Sequence, residues 1–410
     1  MVREEIERLL RDRHQQDGYL FPAYADYCFG NVPDTIRSVL NAGGRRPLPS
    51  DVFGGIDTAV EKVVLVVIDG FGLNAWKRHS RQHQALATLA EEGTVTPLTS
   101  IYPSETAAAI TTLETGTLPC EHGRIGWNIY EPTIDTTFLA FGGEVKTGAT
   151  ADDVADESVA GCEFYYPKLS DAGIDCHRLQ PFDNRGRTVT QHIYDDLDTF
   201  GKRLSNVVAE SDSPGYIYAY LPHVDHVSHA EGTENDAYAQ TVAAVCDQLS
   251  EFLARIDHRT ATETLLLVTA DHGHVNTSPT QNINLSSNPT VMANLKRHAD
   301  GTPITMAGSP RNVHLHLQEG TVAETRQTLA DDNARIFTRD EALECGLFGD
   351  RSASDRFRRR CGDLVVTHRE LGMWFGDVEP EELALIGMHG GLNPAEMLVP
   401  FAAARISALL

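Results

Sequence analysis

Three apolar runs of six residues mark the chain: Val63–Ile68, Tyr216–Leu221 and Leu265–Ala270. Each is rich in β-branched, aliphatic or aromatic residues without polar alternation, which predicts strands covered on both faces, as in a parallel sheet. Acidic residues follow all three, as Asp69, Asp225 and Asp271. Between the second and third runs, Val242, Val245, Cys246, Leu249, Phe252, Leu253 and Ile256 recur at helical spacing. That stretch supplies the crossover helix a parallel pair requires. The pattern predicts an α/β fold: a doubly wound, mostly parallel sheet flanked by helices.

Outside this alternation, Ile6, Leu9 and Leu10 among charges predict an amphipathic helix over 2–13, and a loop-rich stretch follows through Pro47 and Pro49. Residues 1–62 are therefore read as a helical lead-in and 63–410 as the main domain. Two stretches, about 131–214 and 276–385, are longer than a structureless loop inside a compact domain, so each is expected to carry its own elements and to cap the sheet edge. Within the second, Val313-His314-Leu315-His316-Leu317 alternates like a half-exposed strand, with His314 and His316 as its polar face. The basic run from Arg356 to Arg360 reads as a solvated helix face.

The chain has 410 residues and a formal net charge of -24, from 34 Lys+Arg against 58 Asp+Glu, with only six lysines. A surface of this sign repels polyanions, so duplex nucleic acid is not an expected partner. Carboxylate excess with scarce lysine resembles the composition of proteins from salt-loaded cytoplasms, where ionic strength screens self-repulsion. No apolar run reaches the roughly 20 residues of a membrane span, and the charged start Met1-Val-Arg-Glu-Glu leads us to expect a cytoplasmic protein without membrane attachment. The seven cysteines are widely spaced and form no Cys-x-x-Cys pair, so reduced, mostly buried thiols are expected rather than disulfides or a thiolate metal site.

Ligands of open α/β sheets bind beyond the carboxyl ends of the strands, where the three acidic residues project. Asp225 and His229 are four apart, close enough to converge on a helix; Asp271-His272 is followed by Gly273; and His389 lies beside Gly390-Gly391. Aspartate and histidine together suit zinc or a related divalent ion, and two such sets suggest two metals. A nucleophile is sought in Pro103-Ser104-Glu105-Thr106, which leads into an alanine-rich helix start where orphan N–H groups favour an anion. Local physics leaves Ser104, which reads as an N-cap, and Thr106 both open.

The ordered set Ile68-Asp69-Gly70, Pro103-Ser104-Glu105-Thr106, Thr115-Gly116 through His122-Gly123, Asp225 with His229, Asp271-His272-Gly273 and His389-Gly390 resembles the type I phosphodiesterase/nucleotide pyrophosphatase family of the alkaline phosphatase superfamily, over residues 63 to about 400. The resemblance implies two divalent ions, zinc first and manganese as the alternative. One would be held by Asp69, Thr106, Asp271 and His272, the other by Asp225, His229 and His389. It also selects Thr106 as nucleophile, by the interval to Thr115-Gly116, and gives Asn128 the role of holding a phosphoryl oxygen, although ungapped alignment puts Trp127 at the family's asparagine. His223, His226 and His274 are read as supporting or surface groups. The implied reaction is hydrolysis of a phosphodiester or pyrophosphate bond in a small phosphate ester or nucleotide, through a phospho-threonine. Phosphate monoesterase, phosphonate hydrolase and phosphomutase are the alternatives within the superfamily. A non-catalytic metal- or nucleotide-binding protein, suggested by Gly70-Phe71-Gly72, is the alternative outside it.

Overall fold

Lys62–Ile68 pairs in parallel with Gly215–Leu221 on one side and Thr264–Thr269 on the other, in register such that Ile68 faces Leu221 and Val67 faces Thr269. The three acidic residues therefore emerge at one edge. These strands belong to a computed structural model that describes residues 2–148, 154, 163–182 and 189–410. The full sheet has seven strands in the order Thr94–Thr99, Leu398–Arg405, Thr264–Thr269, Lys62–Ile68, Gly215–Leu221, Asp175–Gln180 and Thr190–Ile193. Only Leu398–Arg405 runs against its neighbours. Every residue of the three central strands is buried, as uninterrupted apolar runs require.

The crossover helix is Asp236–Arg255, capped by the Asn235 side chain accepting from the Tyr238 N–H, with Val242, Val245, Cys246, Leu249, Phe252 and Leu253 buried. At the other end of the chain, Glu4–His14 is an amphipathic helix that buries Ile6 and Leu10. These join Leu20, Val52 and the sheet residues in one core cluster. No helix among the described residues is long and apolar enough to cross a membrane. Cys28, Cys120, Cys176, Cys246 and Cys361 are buried free thiols, Cys345 is exposed, and Cys162 lies outside the described residues.

The stretch 131–214 is divided. Asp175–Gln180 and Thr190–Ile193 extend the central sheet, while Thr136–Leu139 and Val145–Thr147 join a second, antiparallel seven-stranded sheet. That second sheet also takes Gly308–Ser309, Asn312–Leu315, Ala334–Thr338 and Leu364–His368 from the later stretch, and it has its own apolar core around Val313, Leu315, Leu364 and Trp374.

Two local expectations change here. Asn312–Leu315 lies inside the second sheet, so His314 and His316 are buried at 3% exposure rather than forming a solvated face. His314 donates through Nε2 to the Ile125 carbonyl at 3.2 Å and accepts the Gly362 N–H at 3.1 Å. The basic helix Asp355–Arg360 is likewise not simply solvated, because the wholly buried Glu131 carboxylate of the facing strand takes Arg359 Nε at 2.6 Å and Arg360 Nε at 2.7 Å.

Candidate active site

At the shared edge, two donor groups assemble, each within mutual reach of a single ion: Asp69, Asp271 and His272, and Asp225, His229, His274 and His389. Strand ends set the first group. Asp69 and Asp271 follow adjacent parallel strands, and Gly70 has φ +70° there, where a Cβ would meet the His274 ring at 2.3 Å. Only glycine permits both the turn and the close approach. The second group is set by a helix, His223–Glu231, which places Asp225 and His229 one turn apart, and by the segment after the short strand Gly387–Met388.

Thr106 opens the helix Thr106–Thr115, with its Oγ1 3.1 Å from His272 Nε2 and 3.4 Å from both Asp69 carboxylate oxygens. The helix N-cap is Glu105 rather than Ser104. The Ser104 hydroxyl is buried and donates to the Gly391 carbonyl at 2.8 Å. It is thus committed elsewhere, while Thr106 faces the donor group. His272 and His389 stack at 3.7 Å between ring centroids and so join the two groups.

The donor chemistry fits cations. His229, His272 and His389 each direct Nδ1 at a backbone carbonyl, of Gly387 at 2.9 Å, Gly273 at 3.1 Å and Ser104 at 3.3 Å. A carbonyl only accepts, so Nδ1 carries a proton and Nε2 is the nitrogen left to meet a metal ion or a second proton. Those Nε2 atoms face carboxylates: His272 lies 3.3 Å from Asp69 and 3.6 Å from Asp271, while His229 and His389 each lie 3.4 Å from Asp225. Imidazole nitrogens turned toward carboxylates call for a positive charge between them, a proton or a metal ion. Asp271 Oδ2 is also fully buried without a hydrogen-bond partner among the described residues, although Oδ1 takes the Gly70 and His272 N–H groups. An orphaned buried carboxylate oxygen is what a metal ligand leaves when considered alone.

Protonation follows the same division. Burial, then the negative charges of Asp271 and Asp225, push the Asp69 carboxyl well above its usual range. Burial opposes ionisation of Asp225 too, yet His229, with His274 and His389, holds it well below. His274 reaches Asp225 Oδ1 at 3.0 Å and the Gly70 carbonyl at 3.2 Å, bracing the carboxylate against the strand end. Of the other two histidines, His226 is exposed and His223 is half-buried against the Tyr194 ring at 6.1 Å.

Above both groups opens a cavity of about 690 Å³ whose walls include Asp69, Thr106, Asp225, His229, His389 and Asn128. Asn128 is buried, begins the strand Asn128–Glu131, and its Oδ1 has no partner among the described residues. Three residues at this cavity were not singled out from the sequence. Tyr220 donates its hydroxyl to Asp69 Oδ2. Its signal was the alternation of Tyr216, Tyr218 and Tyr220, which gives one face of a buried strand polar tips. Glu105 is 1% exposed beside Thr106, and burial pushes its carboxyl up to about 8. A charged residue inside the Ser-Glu-Thr turn was the available cue. Arg178 lies on Asp175–Gln180, which no apolar run announced.

The family model Type I phosphodiesterase / nucleotide pyrophosphatase matches residues 63–392. Among solved structures, murine ectonucleotide pyrophosphatase/phosphodiesterase 5, an inactive variant in complex with AMP, is similar with a TM-score of 0.63 at 16% identity, over 84% of this chain and 87% of that one. The human counterpart gives the same values. Phosphonoacetate hydrolase from Sinorhizobium meliloti, in complex with phosphonoformate, is similar with a TM-score of 0.58 at 16% identity, over 84% of this chain and 93% of that one. At these identities the likeness shows the fold, an α/β sheet flanked by helices.

Proposed function

Because the chain belongs to the type I phosphodiesterase/nucleotide pyrophosphatase family, we propose that it hydrolyses phosphodiester or pyrophosphate bonds of small, nucleotide-like substrates through a phosphorylated Thr106. The observation that carries this reading is the Thr106 hydroxyl at the head of a helix, 3.1 Å from His272 and facing the cavity that the Asp225 group also lines. Asp69, Asp271 and His272, with Thr106, would hold one divalent ion, and Asp225, His229 and His389 the other. Bound there, two ions, zinc by the nitrogen and carboxylate donor set, would lower the pKa of the Thr106 hydroxyl and neutralise phosphoryl charge.

The residues themselves do the positioning. The orphan N–H groups at the start of Thr106–Thr115 favour a phosphoryl anion, and Asn128, in the cavity wall, holds one of its oxygens. Thr106 Oγ1 forms a bond to phosphorus as the bond to the leaving oxygen breaks; water then attacks the same phosphorus and releases Thr106. Glu105, protonated across most of the neutral range because it is buried, adds no further negative charge beside the attacking oxygen. Tyr220 keeps Asp69 oriented through its hydroxyl.

The test is turnover of an aryl phosphodiester, its monoester and phosphonoacetate by the purified protein with zinc, with manganese and with chelator. We expect the diester to be turned over fastest, and only with metal. A faster monoester overturns the diester preference, phosphonate cleavage alone moves the reading to a phosphonate hydrolase, and no turnover with either metal overturns the hydrolase reading.

A further inference from the structure

The cavity reaches well beyond the two donor groups, and one charged side chain waits at its far end. Arg178 is 2% exposed and lines the cavity, yet it belongs to neither donor group. Its Nε is 3.0 Å from Glu114 Oε1, its guanidinium carbon lies 5.5 Å from the centre of the Tyr218 ring, and its Nη1 has no hydrogen-bond partner among the described residues. A guanidinium held by one carboxylate at Nε and by a ring beneath it keeps its Nη edge fixed for an incoming acceptor.

Two routes through the fold give its distance from the chemistry. Glu114 stands eight residues after Thr106 on the same helix, or about 12 Å along the axis. Tyr218, the register partner of Arg178, precedes Tyr220 by one strand repeat of about 7 Å, and the Tyr220 hydroxyl is on Asp69. Between the two ends the wall is aromatic: Tyr218 and Tyr220 stack at 6.5 Å, and Phe182, 43% exposed at the cavity, meets Tyr220 edge-on at 6.0 Å. Aromatic walls accept a flat group, and a buried guanidinium edge takes a paired-oxygen anion.

We propose that Arg178 forms a second anion subsite, so that favoured substrates carry a carboxylate or second phosphate on the far side of a flat group, on the order of 10 Å from the reacting phosphorus. This rests on the hydrolase reading above and adds the substrate class. The Glu114 carboxylate balances the Arg178 charge in the resting protein, and an anion at the Nη edge gives Nη1 the acceptor it lacks among the described residues.

The test uses biphenyl-4-yl methyl phosphates bearing at the 4′ position a carboxylate, a phosphonate or an uncharged carboxamide. In the metal-replete wild type, kcat/KM for one or both anions should exceed that for the carboxamide by about tenfold or more. The ranking of the two anions identifies which headgroup the subsite takes. In Arg178→Met combined with Glu114→Gln, which removes both charges of this pair together, the ratio should fall to about one, and Arg178→Lys should retain part of it. Binding of the same three esters to metal-replete Thr106→Ala protein gives the preference without turnover. Equal affinities there, or a ratio that survives the double variant, overturn the subsite even if the hydrolase reading stands. An anion preference in binding without turnover by the wild type overturns the hydrolase reading and leaves the subsite.

Discussion

The two donor groups sit side by side but balance charge in opposite ways. Asp69, Asp271 and His272 put two carboxylates against one imidazole, all buried. Asp225 is alone among His229, His274 and His389. The consequence is visible in protonation: Asp69 is driven well above the carboxylate range by burial and by its acidic neighbours, whereas Asp225 is held well below, and Asp225 raises His229 to about 9 against the effect of burial. One group is frustrated until a cation arrives; the other supplies its own. Thr106, the proposed nucleophile, lies against the frustrated group, where a cation is most needed and most able to act on its hydroxyl.

The largest effect should come from removing that nucleophile. Thr106→Ala leaves Asp69, Asp271 and His272 in place, so metal content measured by elemental analysis should stay near that of the wild type, while the rate of diester hydrolysis falls by about ten-thousand-fold or more. Near-normal turnover would remove Thr106 from the mechanism.

A carboxylate paired with permanent cations calibrates the comparison. Glu131 is buried, which opposes ionisation, yet hydrogen bonds from Arg359 and Arg360 bring its carboxyl down to about 2 from 4.5. A depressed acid contributes stability above its unfolded value and loses it as pH falls. The contribution should therefore be complete above about pH 4.5 and disappear toward pH 2, worth about 3 kcal/mol. Denaturation of wild type and Glu131→Gln at several pH values should show curves that differ near neutrality and converge in acid. Parallel curves would mean the pair does not link proton binding to folding.

Charge balance in the two groups can then be reversed one carboxylate at a time. In metal-stripped protein near neutral pH, Asp69→Asn should raise stability by about 1–2 kcal/mol, because asparagine is neutral without the proton that the buried Asp69 carboxyl must take up on folding. Asp225→Asn should lower it by about 1–3 kcal/mol, because three histidines lose their partner. With metal restored, both variants should be less stabilised by zinc than the wild type, since each loses a proposed ligand. Thermal melts with and without zinc read all four values, and effects of the same sign in metal-stripped protein would collapse the distinction.

These contrasts also mark what the sequence disclosed. The central strands were legible because uninterrupted apolar runs have few alternatives, and the acidic residues after them follow from parallel register. The second sheet was not legible. Asn312–Leu315 alternates histidine with apolar residues and looks half-solvated, but its neighbours come from segments far away in the chain, among them Gly308–Ser309 and Leu364–His368, and local periodicity carries no trace of them. The same limit hid Arg178, whose partner Glu114 is 64 residues distant and whose strand, Asp175–Gln180, is too polar to announce itself. Motif residues brought Thr106 and Asn128 to attention, whereas Glu105 and Tyr220 became visible only through burial and hydrogen bonding.

The smallest effect separates two hydroxyls two residues apart. Ser104 and Thr106 share a turn, and a reading of the turn alone permits either as nucleophile. The fold distinguishes their surroundings: Ser104 Oγ is fully buried on the Gly391 carbonyl, while Thr106 Oγ1 stands between Asp69 and His272. Ser104 also touches the second donor group, but through its backbone carbonyl, which meets His389 Nδ1 at 3.3 Å and survives any side-chain change. Ser104→Ala therefore removes one buried hydrogen bond and should cost about 1 kcal/mol of stability, read from denaturant unfolding. Its turnover should stay within about threefold of wild type, since less than 1 kcal/mol of barrier is at stake. Acid quenching during turnover, followed by mass spectrometry of the peptide that holds both residues, should place the phosphate on Thr106 in wild type and in Ser104→Ala alike. Phosphate on Ser104, or a Ser104→Ala protein as inactive as Thr106→Ala, would transfer the nucleophile to the residue whose hydroxyl the fold directs at Gly391.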